Sequence, residues 1–410
     1  MGRGSAGKVQ NLQRKVIPKT ASHTFTKNFA MKNIGTNRKI IFSKARRIVI
    51  KVGSAVLTSS DQGLDQSRIE RLAAEISTMI SQGRQVILVS SGAIAAGLAK
   101  LGLKKKRAMP LSLKQAAASV GQSSLMWMYE KTFGAHGHKV AQVLLTREDL
   151  SNRMRFLNAR STLQTLLDYG VVPIVNENDT VSVDEIKFGD NDNLSGMVVH
   201  LADADLLVIL SDIDGLYTAD PKLDPSADLI SIVEKITTEI ERGAGGAQSQ
   251  VGTGGMRSKI LTAKKVGAYG APMVIVNGKK SGVLLALFEG KEVGTLFLPK
   301  PEKQDSRKHW IAYNVLSSGR LIIDDGGREA LMHKGKSLLP GGIVKVEGNF
   351  KIGDCVTCVD RAGTAFARGL VKYSSEDLGL IKGLKTSQIS SVLGHKDYDE
   401  VIHRDDLVIF

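Results

Sequence analysis

Apolar runs alternate with amphipathic segments along most of the chain, beginning near residue 46. The run RRIVIKVG at 46–53 is rich in β-branched residues and ends at a glycine, which is typical of a buried strand. Residues 66–83 then repeat apolar side chains at helical spacing and end at Gly83, as expected of an amphipathic helix. The first part of the chain therefore predicts a strand followed by a helix.

The same alternation recurs at 85–97, 160–179, 205–215 and 256–278. Strands that are apolar throughout, with helices between them, indicate a parallel sheet that is covered on both faces. We therefore expect an α/β fold, an αβα sandwich with a mainly parallel central sheet. Ligands of such sheets bind beyond the carboxyl ends of the strands, and the loops that follow these predicted strands are rich in polar residues.

The composition changes at 298–310, LPKPEKQDSRKHW, which predicts a linker. Beyond it, short alternating runs such as GIVKVEGNF and DCVTCVD are separated by Gly and Asn turns and predict a small, mostly β, barrel-like domain. The expected organisation has four parts: a basic N-terminal extension at 1–44, the α/β domain at 45–298, the linker at 299–306 and the small domain at 307–402.

The net charge of +15 is concentrated at the N-terminus. Residues 1–50 hold twelve of the 56 Lys and Arg residues and none of the 41 Asp and Glu residues, so the rest of the chain is close to neutral. The extension is expected to be disordered, and its composition also resembles a transit peptide or a segment upstream of a true start at Met31. Two cysteines and the absence of a long apolar run favour a reducing, cytoplasmic compartment.

Two loops have the chemistry to hold phosphate. GTGGMRSK at 252–259 brings three glycines to the start of a predicted helix, where backbone N–H groups and the helix dipole attract anions. Lys259 falls in the first turn of that helix, and Lys51 stands at the end of the first predicted strand. Two cations on strand-end loops are what the transfer of a phosphoryl group requires, although a flexible turn and a solvent-facing lysine are the simpler alternatives.

Three further loops, SSGAIAAG at 90–97, NENDT at 176–180 and GDNDN at 189–193, are dense in small or polar residues. Their hydroxyl, amide and carboxylate groups suit a charged ligand, and for the first loop close packing of a helix is the alternative. Calcium is the obvious metal, but neither acidic stretch has the ligand spacing of an EF-hand loop. No metal site formed by protein side chains is predicted.

These loops, in this order, resemble those of the glutamate 5-kinases, members of the amino-acid kinase family. The resemblance is carried by VIKVGSAVLT, VSSGAIAAG, AQVLLTRED, VPIVNENDTVSVDEIKFGDNDNLSG, LSDIDGLYTADP and GTGGMRSKILTAKKV, and by a C-terminal segment that is similar to a PUA domain. It implies ATP-dependent phosphorylation of the γ-carboxylate of L-glutamate, the first step of proline biosynthesis. Another phosphotransferase activity of the family, or RNA binding through the PUA-like domain, is the alternative.

The resemblance also implies the roles of individual residues. Lys51 and Lys259 would stabilise charge on the transferred phosphoryl group, Asp192 would hold both lysines, and Asp190 lies beside it. The residues implied in binding glutamate are Ser91, Asp179, Asn191 and Asn176. Those implied in binding ATP are Lys51, Ser211, Asp212, Thr253, Gly254, Gly255, Met256, Arg257, Ser258 and Lys259.

The same resemblance implies the ligands and partners. ATP would bind together with Mg²⁺, and L-glutamate would be the acceptor. Proline as a feedback inhibitor, a homo-oligomer (dimer or tetramer) and transfer of the product to glutamyl-phosphate reductase are further expectations. Nucleic acid is not an expected partner, because residues 307–410 carry 15 basic and 13 acidic side chains and so lack the excess of cations that polyanions require. A membrane partner is not expected either, because the sequence has no long apolar run.

Overall fold

The computed structural model describes residues 38–59, 63–104, 109–181, 191–243, 255–299 and 306–410. In the first domain the described strands are β1 (Arg47–Val52), β2 (Thr58–Ser59), β3 (Gly63–Leu64), β4 (Gln85–Val89), β5 (Val140–Leu145), β6 (Val172–Glu177), β7 (Leu206–Ser211), β8 (Ile232–Val233), β9 (Met273–Asn277) and β10 (Thr295–Phe297). The helices are α1 (Arg38–Lys44), α2 (Ser54–Leu57), α3 (Gln66–Ser81), α4 (Ala93–Lys100), α5 (Leu111–Gly134), α6 (Arg147–Ser151), α7 (Arg153–Asp168), α8 (Asn191–Ala202), α9 (Thr238–Gly243), α10 (Met256–Tyr269) and α11 (Val283–Phe288).

The central sheet has the strand order β5-β6-β4-β1-β7-β9-β10-β8. The first six strands of this order are mutually parallel, and β10 runs antiparallel to β9. The expected mainly parallel sheet is therefore confirmed. Strand β1 lies between β4 and β7, and Lys51 is in register with Val89 on one side and Ile209 on the other. The loops that follow these three strands consequently meet at one edge of the sheet.

Helices cover both faces of the sheet, and the alternation of side chains along β1 shows how. Ile48, Ile50 and Val52 pack into one apolar core, whereas Val49 packs into the core on the opposite face together with Leu194 of α8 and other residues. Because side chains alternate along a strand, Lys51 projects to the same face as Val49. That face is the one against which α8 packs, so the geometry of the strand directs the ammonium group towards this helix.

Helix α1 lies within the segment that was expected to be a disordered extension. Phe42 is fully buried with its ring 5.8 Å from that of Phe288, and the Arg38 guanidinium donates to the carbonyls of Val293 and Gly294. The expectation is therefore wrong for residues 38–44, because an aromatic side chain anchors this stretch to the α/β domain. Residues 1–37 lie outside the described residues.

Helix α5 has no counterpart among the predicted elements. It packs closely on α4, since a Cβ atom on Gly97 would stand 1.7 Å from the carbonyl oxygen of Ala117, and one on Gly121 would stand 1.8 Å from that of Ala93. The small residues of SSGAIAAG therefore do serve close helix packing. No helix in the described ranges is long and apolar enough to cross a membrane.

The second domain is built on a mixed sheet of order β12-β11-β13-β14-β15. Its described elements are α12 (Ser306–Tyr313), β11 (Ser317–Ile323), α13 (Asp325–Met332), β12 (Ile343–Gly348), β13 (Cys355–Val359), β14 (Ala365–Leu370), α14 (Ser375–Ile381), α15 (Ile389–Leu393) and β15 (Leu407–Ile409). Because β15 pairs with β14, the small domain extends beyond the expected boundary at residue 402.

Helix α12 joins the two domains. Trp310 and Ile311 are buried in the same apolar core as Phe156 of the first domain and Val408 of the second. The indole Nε1 of Trp310 donates to the carbonyl of Leu150 at 3.1 Å. The expected boundary at 306/307 therefore falls at the start of a helix whose side chains belong to the core of the α/β domain.

Replacing Trp310 by phenylalanine is expected to lower the free energy of unfolding by about 2 kcal/mol, because a buried carbonyl loses its donor and a small cavity forms. Denaturant unfolding monitored by circular dichroism measures this loss. Trp127 is 59% exposed and provides the matched control. Trp127→Phe should change the free energy of unfolding by less than about 0.5 kcal/mol, and equal losses in both variants would contradict the anchoring role.

Candidate active site

The carboxylate of Asp192 joins two lysines that come from different elements. The Nζ of Lys51, at the end of β1, lies 2.5 Å from Asp192 Oδ1, and the Nζ of Lys259, in α10, lies 2.9 Å from Asp192 Oδ2. Asp192 is fully buried, and the two lysines are 6% and 5% exposed. A buried triad of two cations and one anion therefore lies at the carboxyl edge of the sheet, with an excess of one positive charge.

The packing of α8 against α10 places these groups side by side. Gly196 allows close approach, since a Cβ atom there would be 3.1 Å from Cγ2 of Thr262. The ammonium of Lys265 also donates to Asn193 Oδ1 at 2.5 Å. Asp192 and Lys259 stand in the first turns of the two helices, so this packing brings them together.

The triad keeps Asp192 ionised. Burial by itself would raise the pKa of this carboxyl, but the ammonium groups of Lys51 and Lys259 more than offset this effect and hold the pKa below its usual value. Its position in the first turn of α8 also favours negative charge. The aspartate therefore holds two ammonium groups in place and leaves their net positive charge for an anionic ligand.

A second cluster of polar groups surrounds Asn191, the residue before Asp192. Its Nδ2 lies 2.6 Å from the carbonyl oxygen of Ser90, 2.9 Å from Ser91 Oγ and 3.1 Å from Asn176 Oδ1. The loop after β4 and the end of strand β6 thus converge on one amide group at the start of α8. Asn191 and Asp192 connect this cluster directly to the lysine triad.

Asp179 lies in the turn after β6, close in sequence to Asn176. Its carboxyl group is partly buried, and burial raises its pKa to about 6. A carboxylate that is costly to ionise when the site is empty becomes stabilised when a cation binds beside it. This residue is therefore suited to a ligand that carries an ammonium group.

The residues predicted to bind nucleotide lie at the ends of β7 and at the start of α10. Ser211 is buried at the end of β7, and Asp212, the next residue, is exposed. The N–H of Gly53, which follows β1, donates to the carbonyl of Leu210 in β7. Gly255 is the N-cap of α10 and makes no side-chain cap. The first turn of α10 contains Met256, Arg257, Ser258 and Lys259. Asp190, Thr253 and Gly254 lie outside the described residues.

Two groups of residues near the site were not predicted from the sequence, one on α5 and one after β7. On α5, Gln122 accepts from Asn176 Nδ2 at 2.9 Å, and the Tyr129 hydroxyl lies 2.8 Å from Ser90 Oγ. Their spacing of seven residues, two turns on one helical face, is the signal that could have found them.

After β7, the carboxylate of Asp214 accepts from Asn277 at 3.0 Å and pairs with Lys280 at 2.7 Å. These contacts tie the loop that follows β7 to the loop that follows β9. Asp214 belongs to the SDIDG motif, but its partners come from a distant part of the sequence and could not be assigned from spacing.

The model of the amino acid kinase family matches residues 46–277, which include the lysine triad and the Asn191 cluster. The chain belongs to the amino acid kinase family. The PUA domain model matches residues 319–393, so an amino-acid kinase fold followed by a C-terminal PUA domain is confirmed.

Curated relatives of the chain are named glutamate 5-kinase. The protein of Geobacter sulfurreducens is 54% identical over 373 residues, which cover 91% of this chain and 100% of the relative. That of Geobacter metallireducens is 56% identical over 372 residues with the same shares of the two chains. Among solved structures, a UMP kinase from Bacillus anthracis matches with a TM-score of 0.43 and 18% identity, over 62% of this chain and 96% of the other.

Proposed function

We propose that the chain catalyses the glutamate 5-kinase reaction, the ATP-dependent phosphorylation of the γ-carboxylate of L-glutamate to L-glutamyl 5-phosphate. This is the first step of proline biosynthesis. The observation that carries the proposal is the buried Lys51–Asp192–Lys259 triad, which stands next to the Asn191 cluster. The relatives named above, which the chain matches over their full length, support the same activity.

Glutamate would bind at the Asn191 cluster. Asp179 supplies the negative charge for its ammonium group, and Ser91, Asn176 and Asn191 supply hydroxyl and amide groups for its carboxylates. The α5-facing side of this cluster is already hydrogen-bonded, so the amides are held in one orientation before the substrate arrives. This arrangement lowers the entropic cost of positioning the γ-carboxylate.

Phosphoryl transfer requires no general base, because the γ-carboxylate is ionised at neutral pH. One of its oxygens attacks the γ-phosphorus of ATP, an O–P bond forms, and the bond between that phosphorus and the bridging oxygen breaks to release ADP. The ammonium groups of Lys51 and Lys259 stabilise the charge on the transferred phosphoryl group and the leaving oxygen. Catalysis then consists of in-line positioning and electrostatic stabilisation.

The residues present fit ATP. The first turn of α10 begins at a glycine that makes no side-chain cap, which leaves N–H groups for phosphate oxygens. Mg²⁺ bound with ATP would neutralise part of the phosphate charge. Ser211 and Asp212 are proposed to contact the nucleotide, as are Thr253 and Gly254 from the sequence, and Asp190 is proposed from the sequence as a catalytic residue beside Asp192.

A coupled assay for ADP with purified full-length protein, ATP and Mg²⁺ tests the proposal. ADP should form with L-glutamate, and not with aspartate, N-acetylglutamate or UMP. Hydroxylamine in the same reaction should trap the acyl phosphate as a hydroxamate, which distinguishes carboxyl transfer from simple ATP hydrolysis. ADP release without glutamate dependence would overturn the proposal.

The raised pKa of Asp179 predicts how glutamate binding depends on pH. The free enzyme must carry an ionised Asp179 to bind the ammonium group, so kcat/KM for glutamate should fall about tenfold per pH unit below about 6. In the complex the bound ammonium lowers this pKa, so kcat should change less over the same range. Asp179→Asn should raise KM and remove this pH dependence, and a variant that retains the profile would exclude Asp179 as its source.

Further features are proposed from the resemblance in sequence. They are a homo-oligomer (dimer or tetramer), feedback inhibition by proline, handover of the labile acyl phosphate to glutamyl-phosphate reductase, and a cytoplasmic location. Multi-angle light scattering of the full chain measures the oligomeric state. The same measurement with proline shows whether proline changes that state.

A further inference from the structure

Helix α5 presents a row of polar side chains to the loops of the proposed glutamate site. Ser119 Oγ lies 3.2 Å from Thr180 Oγ1, Gln122 accepts from Asn176, and Tyr129 contacts Ser90. Residues 119, 122 and 129 are separated by three and seven positions and so share one face of the helix. Gln122 contacts a proposed substrate residue at the end of β6, and the other two contacts reach loops that contain proposed substrate residues, although α5 contributes no residue to the lysine triad.

The Tyr129 contact is the most deeply buried of the three. Tyr129 and Ser90 are both fully buried, and their hydroxyl oxygens are 2.8 Å apart. The Ser90 hydroxyl donates to the carbonyl of Ser91 at 3.2 Å. Either hydroxyl can donate in the contact between Tyr129 and Ser90, and the phenol can do so while the Ser90 proton is directed to the Ser91 carbonyl. Burial raises the pKa of Tyr129 above its usual value, so the phenol keeps its own proton.

Ser90 transmits the contact to the substrate residues. Its carbonyl oxygen accepts from Asn191 Nδ2 at 2.6 Å, and its backbone N–H donates to the carbonyl of Val175 in β6. Gly92, two residues later, is the N-cap of α4 with φ of 100°, a left-handed conformation that leaves the turn dependent on a glycine. The Ser90–Ser91 turn is therefore held by two contacts, the hydrogen bond from Asn191 to the Ser90 carbonyl and the hydrogen bond between the Tyr129 and Ser90 hydroxyl groups.

Gln122 supports the opposite side of the same cluster. Its Oε1 accepts from Asn176 Nδ2, which directs Asn176 Oδ1 towards Asn191 Nδ2 at 3.1 Å. Gln122 thus orients Asn176 directly, and Tyr129 holds Ser90, whose carbonyl accepts from Asn191, so two side chains of one helix support both amide groups of the proposed glutamate site.

We infer that Tyr129 and Gln122 are positioning residues for the acceptor substrate, and that α5 aligns the glutamate site while leaving the nucleotide site unaffected. This inference rests on the proposed function, because glutamate is the ligand that the aligned amides would bind. It goes beyond the proposed function by assigning a role to a helix that contributes no residue to the lysine triad.

Steady-state kinetics of Tyr129→Phe in the full chain tests the inference. The KM for glutamate should rise about fivefold, which corresponds to the loss of one hydrogen bond of about 1 kcal/mol. The KM for ATP should stay unchanged, since the triad and the start of α10 are not altered. A purely structural role of the phenol would move stability and both KM values together, or none of them.

Tyr269→Phe is the matched control. Tyr269 is also buried in the α/β domain, at the C-terminal end of α10. Its hydroxyl bonds to Asp203, the residue after α8. Its loss should leave both KM values as in the wild type. A double variant with Ser90→Ala provides a second readout, because removing either partner of the same hydrogen bond should have non-additive effects on the KM for glutamate.

Gln122→Met removes the acceptor for Asn176 with little change in volume, and it decides the question if Tyr129→Phe does not fold. A rise in the KM for glutamate alone supports the inference. An unchanged KM for glutamate, or equal rises in both KM values, overturns it. Wild-type protein that fails to phosphorylate glutamate would refute the proposed function, whereas an active wild type with an unaffected variant would refute only the role of α5.

Discussion

Replacing Lys259 by methionine should lower kcat by about 10²–10³-fold while the protein remains folded, because removing one preorganised donor to developing charge has effects of this size. Asp192 keeps its contact with Lys51 at 2.5 Å, so the carboxylate is not left without a counter-ion. The methionine side chain fills most of the volume of the lysine stem. Initial rates at saturating ATP and glutamate measure the loss, and KM values for both substrates show whether binding has changed as well.

Lys264→Met is the matched control for this experiment. Lys264 is on the same helix, and its side chain is 48% exposed and pairs with Glu241. The same change of residue there removes a positive charge at the protein surface and should leave kcat unchanged. A Lys259→Met enzyme with a turnover close to that of the wild type would show that Lys259 does not stabilise the transferred group.

Asp192→Asn should reduce both stability and activity. The carboxylate is fully buried between two lysines that are themselves almost inaccessible, and removing one partner from a buried ion pair costs about 3–5 kcal/mol. The amide can accept a hydrogen bond from one ammonium group, but it no longer supplies the negative charge that both lysines contact. Denaturant unfolding measures the loss of stability, and kcat should fall because the lysines are no longer held in position.

Asp224→Asn provides the control for the change in charge. Asp224 is exposed and bonds only to nearby groups such as Ser226, so the same substitution should leave the free energy of unfolding unchanged. Calorimetric measurement of ATP binding to Asp192→Asn separates the loss of stability from the loss of activity. A variant with wild-type stability and turnover would exclude the triad as both a structural and a catalytic unit.

Those elements of the α/β domain that carry a strong periodic signal of their own could be predicted. In β1 the apolar run reflects burial on both faces of the sheet, and in α3 the helical spacing of apolar residues reflects burial on one face. Helix α5 could not be predicted in the same way. Its inward face carries the half-buried Gln122 and the buried Gly121 among its apolar residues, since it serves hydrogen bonding and close helix contact as well as the core.

Helix α12 shows a second kind of limit. A cluster of Pro, Lys, Glu and Ser residues correctly indicated a change of domain near residue 300. That composition contains no information on which core Trp310 would join, because a single aromatic residue packs wherever a complementary surface exists. The contact with Leu150 depends on the arrangement of α6 and α7 around it.

The sequence by itself determined the alternation of strands and helices in much of the first domain, the presence of a second β domain and the identity of the polar residues at the strand ends. These properties follow from local periodicity and from residue chemistry. Only the tertiary structure decided that Lys51 and Lys259 share one carboxylate, that Asn191 joins the loop after β4 to the end of β6, and that Tyr129 reaches Ser90. The physical reason is that these contacts connect positions far apart in the chain, whose distances are set by strand order and helix packing.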